Sequence, residues 1–198
     1  MGDPELQDRS ERWPVAESHE VWDGGGWVVR LRDDQIRRPG HPDDEPFSRT
    51  VLEHPGAAIV LALDEDDRAL CLWQYRHPVG ATLVQLPAGL LDIDGESPEQ
   101  VARRELVEEA GYEAREWVHL TSAYSSPGIS AEECHYFLAR GLTEVGRGDF
   151  HPEHEEAEME VGWVPVADLR AAILDGRVRD AHVAIALLTA QARGLISA

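Results

Sequence analysis

The sequence predicts an α+β fold in which a mixed β-sheet packs between helices, with a small β unit in front of it. Three observations carry that prediction. Four stretches rich in β-formers, SRTVLEH, AAIVLAL, ALCLWQYR and TLVQL, follow one another between turn signals. A helix with both ends marked comes next, at 97–110. Further strand patterns and two apolar helical patterns then close the chain.

Taken in order, residues 1 to about 18 carry many charges and little periodicity, and they read as a mobile arm. The run VWDGGGWVVRLRDDQI places Gly24, Gly25 and Gly26 between two short Val- and Trp-rich stretches, which predicts a hairpin or strand pair. RRPGHPDDEP is too rich in Pro and charge for a strand or helix interior and reads as a loop. The domain boundary is therefore placed near Phe47, giving a unit at 1–47 and a main domain at 48–198.

The four strands are punctuated by His54-Pro55-Gly56, the acidic turn 64–67 and His77-Pro78-Val79-Gly80. Ser97-Pro98-Glu99-Gln100 then supplies an N-cap, a proline at the first helical position and a capping-box glutamine. The helix should run to Ala110 and end on a left-handed Gly111. Strands follow at 117–124, 135–139 and 160–165. Helices at 167–174 and 180–192 end at Gly176 and Gly194.

The composition, 42% hydrophobic and 28% charged over 198 residues, is that of a globular protein, and no apolar run nears the roughly 20 residues needed to span a bilayer. The start lacks the apolar stretch of a secretory signal, so a cytoplasmic location and no membrane partner are expected. Cys71 and Cys134 fit neither a disulfide framework nor a zinc spacing, and they read as buried thiols. A net charge of −20 with no Lys/Arg cluster disfavours a nucleic-acid partner. An anionic substrate would need its charge offset locally by metal ions and a few arginines.

On the 97–110 helix, a turn of about 100° per residue gathers Glu105, Glu108 and Glu109 within roughly one quadrant, with Ala102, Leu106 and Ala110 on the adjoining arc. The carboxylates therefore border the buried side. Two like charges about 4 Å apart cost roughly 4 kcal/mol at an effective dielectric of about 20, so this cluster calls for a cation. Oxygen-only ligands point to Mg²⁺ or Mn²⁺. The plainer reading is a solvated acidic face paired with Arg103 and Arg104.

What favours the metal is the surrounding pattern, because GLLDIDGESPEQVARRELVEEAGY closely resembles the Nudix box through Gly89, Glu96, Arg104, Glu105, Leu106, Glu108, Glu109, Gly111 and Tyr112. Two positions depart from it. Six residues, one more than in the family pattern, separate Gly89 from Glu96, and Tyr112 stands where an aliphatic residue is usual. The resemblance implies a Nudix-type α/β/α sandwich, with Glu105 and Glu109 as main metal ligands and Glu108 as a further or water-mediated one. It also implies the Ala88 carbonyl as a backbone ligand, and Arg104 as the group that orients a carboxylate. Glu96 takes a structural role first.

The run from Glu53 to Asp92, the segment SSPGISAEE and the stretch HPEHEEAEMEVGWVPV look like the ADP-ribose pyrophosphatase branch of that family. This implies Mg²⁺-dependent cleavage of ADP-ribose to AMP and ribose 5-phosphate by a homodimer whose N-terminal strands help form the adenosine pocket. The catalytic base would come from 153–158, with Glu155 favoured as base or extra metal ligand and Glu156 and Glu158 close behind. Arg76 would contact a phosphate, Trp27 would stack on adenine, and Ser126, Pro127 and Gly128 would shape a loop over the terminal ribose. Two alternatives stay open. One is a different substrate, such as a nucleotide sugar or dinucleotide; the other is a module that binds ADP-ribose without cleaving it.

Overall fold

The structure, a computed structural model, describes residues 6–26, 28–148 and 158–197. Its contacts divide into two units, Met1–His54 with Ser126–Ala131, and Pro55–Ser125 with Glu132–Ala198.

The first unit is an antiparallel sheet of β1 (Val15–Trp22), β2 (Arg30–Ile36) and β3 (Phe47–Glu53), in that order. The hairpin predicted around the three glycines forms, but β1 begins at Val15, inside the stretch read as an arm. Every residue of β1 is exposed, so no inside–outside alternation marks it in the sequence. Backbone pairing with β2 holds it, helped by Ser18 Oγ donating to Asp34 at 2.6 Å. That bond, with Arg32 on the same carboxylate, keeps buried Asp34 below the usual carboxylate range. The strand read at Ser48–His54 is β3, and it pairs with β2. The division of contacts accordingly falls after His54, where the sequence reading placed a boundary near Phe47.

The second unit contains β4 (Ala57–Ala62), β5 (Arg68–Arg76), β6 (Ala81–Gln85), β7 (Ala88–Leu90), α1 (Pro98–Ala110), β8 (Tyr112–Tyr124), β9 (Glu133–Glu144), β10 (Glu160–Pro165), α2 (Val166–Leu174) and α3 (Ala181–Ala192). Its sheets run β7-β4-β9-β8, mixed because β4 and β9 are parallel, and β10-β5-β6, antiparallel. β4 shows why this is a three-layer unit. All six of its residues are buried, as an uninterrupted apolar run predicts for a strand covered on both faces. Ala57, Ile59 and Leu61 pack in the core that holds Leu169, Val183 and Leu187 of α2 and α3. Ala58, Val60 and Ala62 pack with Val101, Ala102 and Leu106 of α1. Burial of each Ile or Leu contributes about 1.5–3 kcal/mol.

The predicted caps of α1 form as read. Ser97 Oγ accepts from Gln100 N while Gln100 Oε1 accepts from Ser97 N, and Gly111 closes the helix at φ 77°. Cys71 and Cys134 are free and buried, and burial pushes both thiols up to about 12. Among the described residues no helix is long and apolar enough to cross a membrane.

Candidate active site

Two consecutive residues of β7 meet two successive turns of α1. Ala88 N–H donates to Glu109 Oε2 at 2.8 Å, and a Cβ added at Gly89 would overlap the Glu105 carboxylate. Positions 105 and 109 are one helical turn apart, on the same face, so a short strand lying along the helix can engage both. The glycine is required here for space, since its φ is not positive. Glu109 is 7% exposed, and the Glu105 side chain 12%, which removes the solvated-face reading for these two residues.

Arg104 organises the remaining carboxylates. Its Nη1 donates to Glu105 Oε1 at 2.6 Å and to Glu108 Oε2 at 3.0 Å, while Nε and Nη2 reach Glu96 Oε2 at 3.4 and 3.3 Å. Burial alone would lower the arginine's pKa, but Glu105, Glu108 and Glu96 together raise it. Arg103 lies apart from this group, pairing with Glu99 and stacking over Trp117 at 4.7 Å.

One guanidinium does not offset this much negative charge. Burial, then repulsion from Glu108 and Asp92, pushes Glu105 up to about 7 against the pull of Arg104. Among the described residues no three His, Cys, Asp or Glu side chains stand together as a metal-holding group; Glu105 and Glu108 are held by Arg104, and Glu109 accepts from the Ala88 amide. The chemistry of the donors still fits a hard divalent cation. The three carboxylates on one helix face are all oxygen donors, and the most electrostatically burdened of them is buried against a glycine that leaves its carboxylate room.

The other predicted residues divide by location. Arg76, at the exposed end of β5, donates from Nε to Gln85 Oε1 at 2.6 Å, and Gln85 Nε2 donates to Asp180 Oδ2 at 2.7 Å. Glu158 is exposed just ahead of β10. Ser126 and Gly128 belong to the first unit, in an exposed turn where the Ser126 carbonyl accepts from Ile129 and Ser130 N–H. Gly128 has open space around it. Glu155, Glu156 and Trp27 lie outside the described residues. Sequence reasoning missed Gln85 and Asp92. Asp180 was seen only at the start of a helix; its bond to Gln85 spans 95 positions, which no local pattern announces.

Comparison with known proteins bears on the family and the fold. The family model described as NUDIX domain matches residues 52–187. The chain is 43% identical over 153 residues to an ADP-ribose pyrophosphatase of Mycobacterium tuberculosis, covering 77% of this chain and 72% of that protein. It is 35% identical over 158 residues to an ADP-ribose pyrophosphatase of Bacillus subtilis, covering 79% and 83%. A solved structure described as an ADP compounds hydrolase superposes with a TM-score of 0.74 at 17% identity, over 96% of this chain and 100% of that one, and so supports the fold. The box at Gly89–Tyr112, its mutual packing of β7 and α1, and these matches together establish that the chain belongs to the Nudix family.

Proposed function

We propose that this Nudix hydrolase cleaves the pyrophosphate bond of ADP-ribose, giving AMP and ribose 5-phosphate, with Mg²⁺ as the metal and Mn²⁺ able to replace it. Nudix hydrolases are generally dependent on a divalent metal. The observation that carries the reading is the Glu105 carboxylate seated on Gly89, incompletely offset by Arg104, in a chain so similar to ADP-ribose pyrophosphatases.

Glu105, Glu108, Glu109 and the Ala88 backbone would hold the cation. Bound there, it would offset charge on the pyrophosphate and lower the pKa of a coordinated water. The chain's own groups do the positioning. The Ala88 amide fixes one oxygen of Glu109, and Arg104 fixes Glu105 and Glu108 by charge-assisted bonds. A carboxylate from 153–158 takes the proton of the attacking water, with Glu155 ahead of Glu156 and Glu158. Arg76 binds a substrate phosphate, Trp27 stacks on adenine, and Ser126 and Gly128 line the terminal ribose. The protein works as a cytoplasmic homodimer through its N-terminal unit.

A panel of ADP-ribose, nucleotide sugars, dinucleotides and nucleoside triphosphates, assayed with Mg²⁺, tests this directly. ADP-ribose should show the highest kcat/KM. A preference for any other class by tenfold or more would reassign the substrate, and binding without turnover would make the protein a sensor.

A further inference from the structure

Arg76 differs from the arginines of the box in what holds it. Arg104 is surrounded by carboxylates, whereas Arg76 is bound by a neutral amide and makes no ion pair among the described residues. That amide is itself anchored. Gln85 Nε2 donates to Asp180 Oδ2, and Asp180 Oδ1 caps α3 by accepting from His182 N at 2.8 Å and Val183 N at 3.2 Å. Only one amide orientation satisfies both neighbours, with oxygen toward the guanidinium and nitrogen toward the carboxylate. α3 is fixed in turn by buried Val183, Ala186, Leu187 and Ala190.

Gln85 also stands three residues before Ala88, the residue that binds Glu109. Three residues of chain span at most about 10 Å. One short segment therefore holds Arg76 at one end and the carboxylate helix at the other.

We infer that Gln85 is a positioning residue for substrate binding: it links the Asp180 cap of α3 to Arg76 Nε, fixing the guanidinium at one end of the segment whose other end meets the carboxylate helix, while keeping its charge for an anionic diphosphate. An amide suits this task because it accepts from the cation and donates to the anion without neutralising either. A carboxylate at position 85 would instead pair with Arg76 and repel Asp180. The inference rests on the proposed contact between Arg76 and the substrate diphosphate, and the experiment separates the two.

Steady-state kinetics with ADP-ribose and Mg²⁺ are measured for wild type, Arg76→Ala, Gln85→Met, Gln85→Glu and the Arg76→Ala/Gln85→Met double variant, with a thermal melt of each. Arg76→Ala should raise KM about ten- to a hundredfold, the range for losing a charged hydrogen-bonding group. Gln85→Met, similar in volume, should raise KM about three- to tenfold with a much smaller effect on kcat and a Tm near wild type. Gln85→Glu should raise KM more than Gln85→Met does. The double variant should be no worse than Arg76→Ala alone, because Gln85 acts only through Arg76. An unchanged KM in Gln85→Met beside a raised KM in Arg76→Ala would overturn the inference and leave the diphosphate contact standing. Full additivity in the double variant would overturn it as well. A silent Arg76→Ala would remove the contact itself, and the role of Gln85 with it.

Discussion

Glu105 is a carboxylate pressed against a glycine, and burial sets its titration near pH 7 where an ordinary glutamate titrates near 4.5. The folded state thus binds this proton more tightly than the unfolded state does. The stability it contributes to the metal-free chain is complete below about pH 4.5 and is lost as pH rises through about 7. Glu105→Gln has no proton to lose, so without metal at pH 8 it should be more stable than wild type by up to about 3 kcal/mol. For a chain of this size each kcal/mol moves Tm by roughly 2–4 °C. Melts in chelator between pH 4.5 and 8.5 check this: the two curves should meet at the acid end, separate between about pH 4.5 and 7 and stay apart above that, and a separation that does not change with pH would contradict the burial account. At this scale the sequence reading placed Glu105 and Glu109 on the core-bordering arc from helical angle alone; Glu109 is buried and the Glu105 side chain is 12% exposed. Asp92 was missed, because its repulsion of Glu105 acts across a loop of unpredictable path.

Elements were legible where the sequence marks their ends or their burial. α1 carries Ser97, Pro98, Gln100 and Gly111 at its termini, so its limits could be read to the residue. β4 has six buried residues, and its apolar run could belong to nothing exposed. β7 escaped notice because three residues are too few to show alternation, yet it supplies the Ala88 amide and the Gly89 space on which the site depends. β8 starts five residues earlier than read, since Glu113, Arg115 and Glu116 are charged and exposed and leave only Tyr112 and Ala114, both half-buried, to mark the strand. The start of β1 escaped because all of its residues are exposed. In each case pairing with a neighbour, which local sequence does not report, supplied the stabilisation.

For the whole molecule, the N-terminal unit is the part whose role was least readable. Its strands are tied to Ser126–Ala131 by Leu52, whose N–H donates to the Ile129 carbonyl and whose carbonyl accepts from Ala131 N–H. A cut at Phe47 would leave β3 without its β2 partner, so the informative truncation starts at Pro55. That chain should sediment as a monomer and show a raised KM for ADP-ribose; a dimer with unchanged KM would contradict the proposed role of the unit. The central claim is that the α1 carboxylates, set by Gly89, Ala88 and Arg104, carry metal-dependent hydrolysis. Its most direct test is turnover of ADP-ribose under saturating Mg²⁺ by wild type and by Glu109→Gln, whose amide keeps the shape and removes one charge. The account predicts AMP and ribose 5-phosphate from the wild type, and a kcat lower by about two orders of magnitude or more, at least roughly 2.7 kcal/mol, in a folded Glu109→Gln. A folded Glu109→Gln with near-normal Mg²⁺-dependent turnover would contradict it.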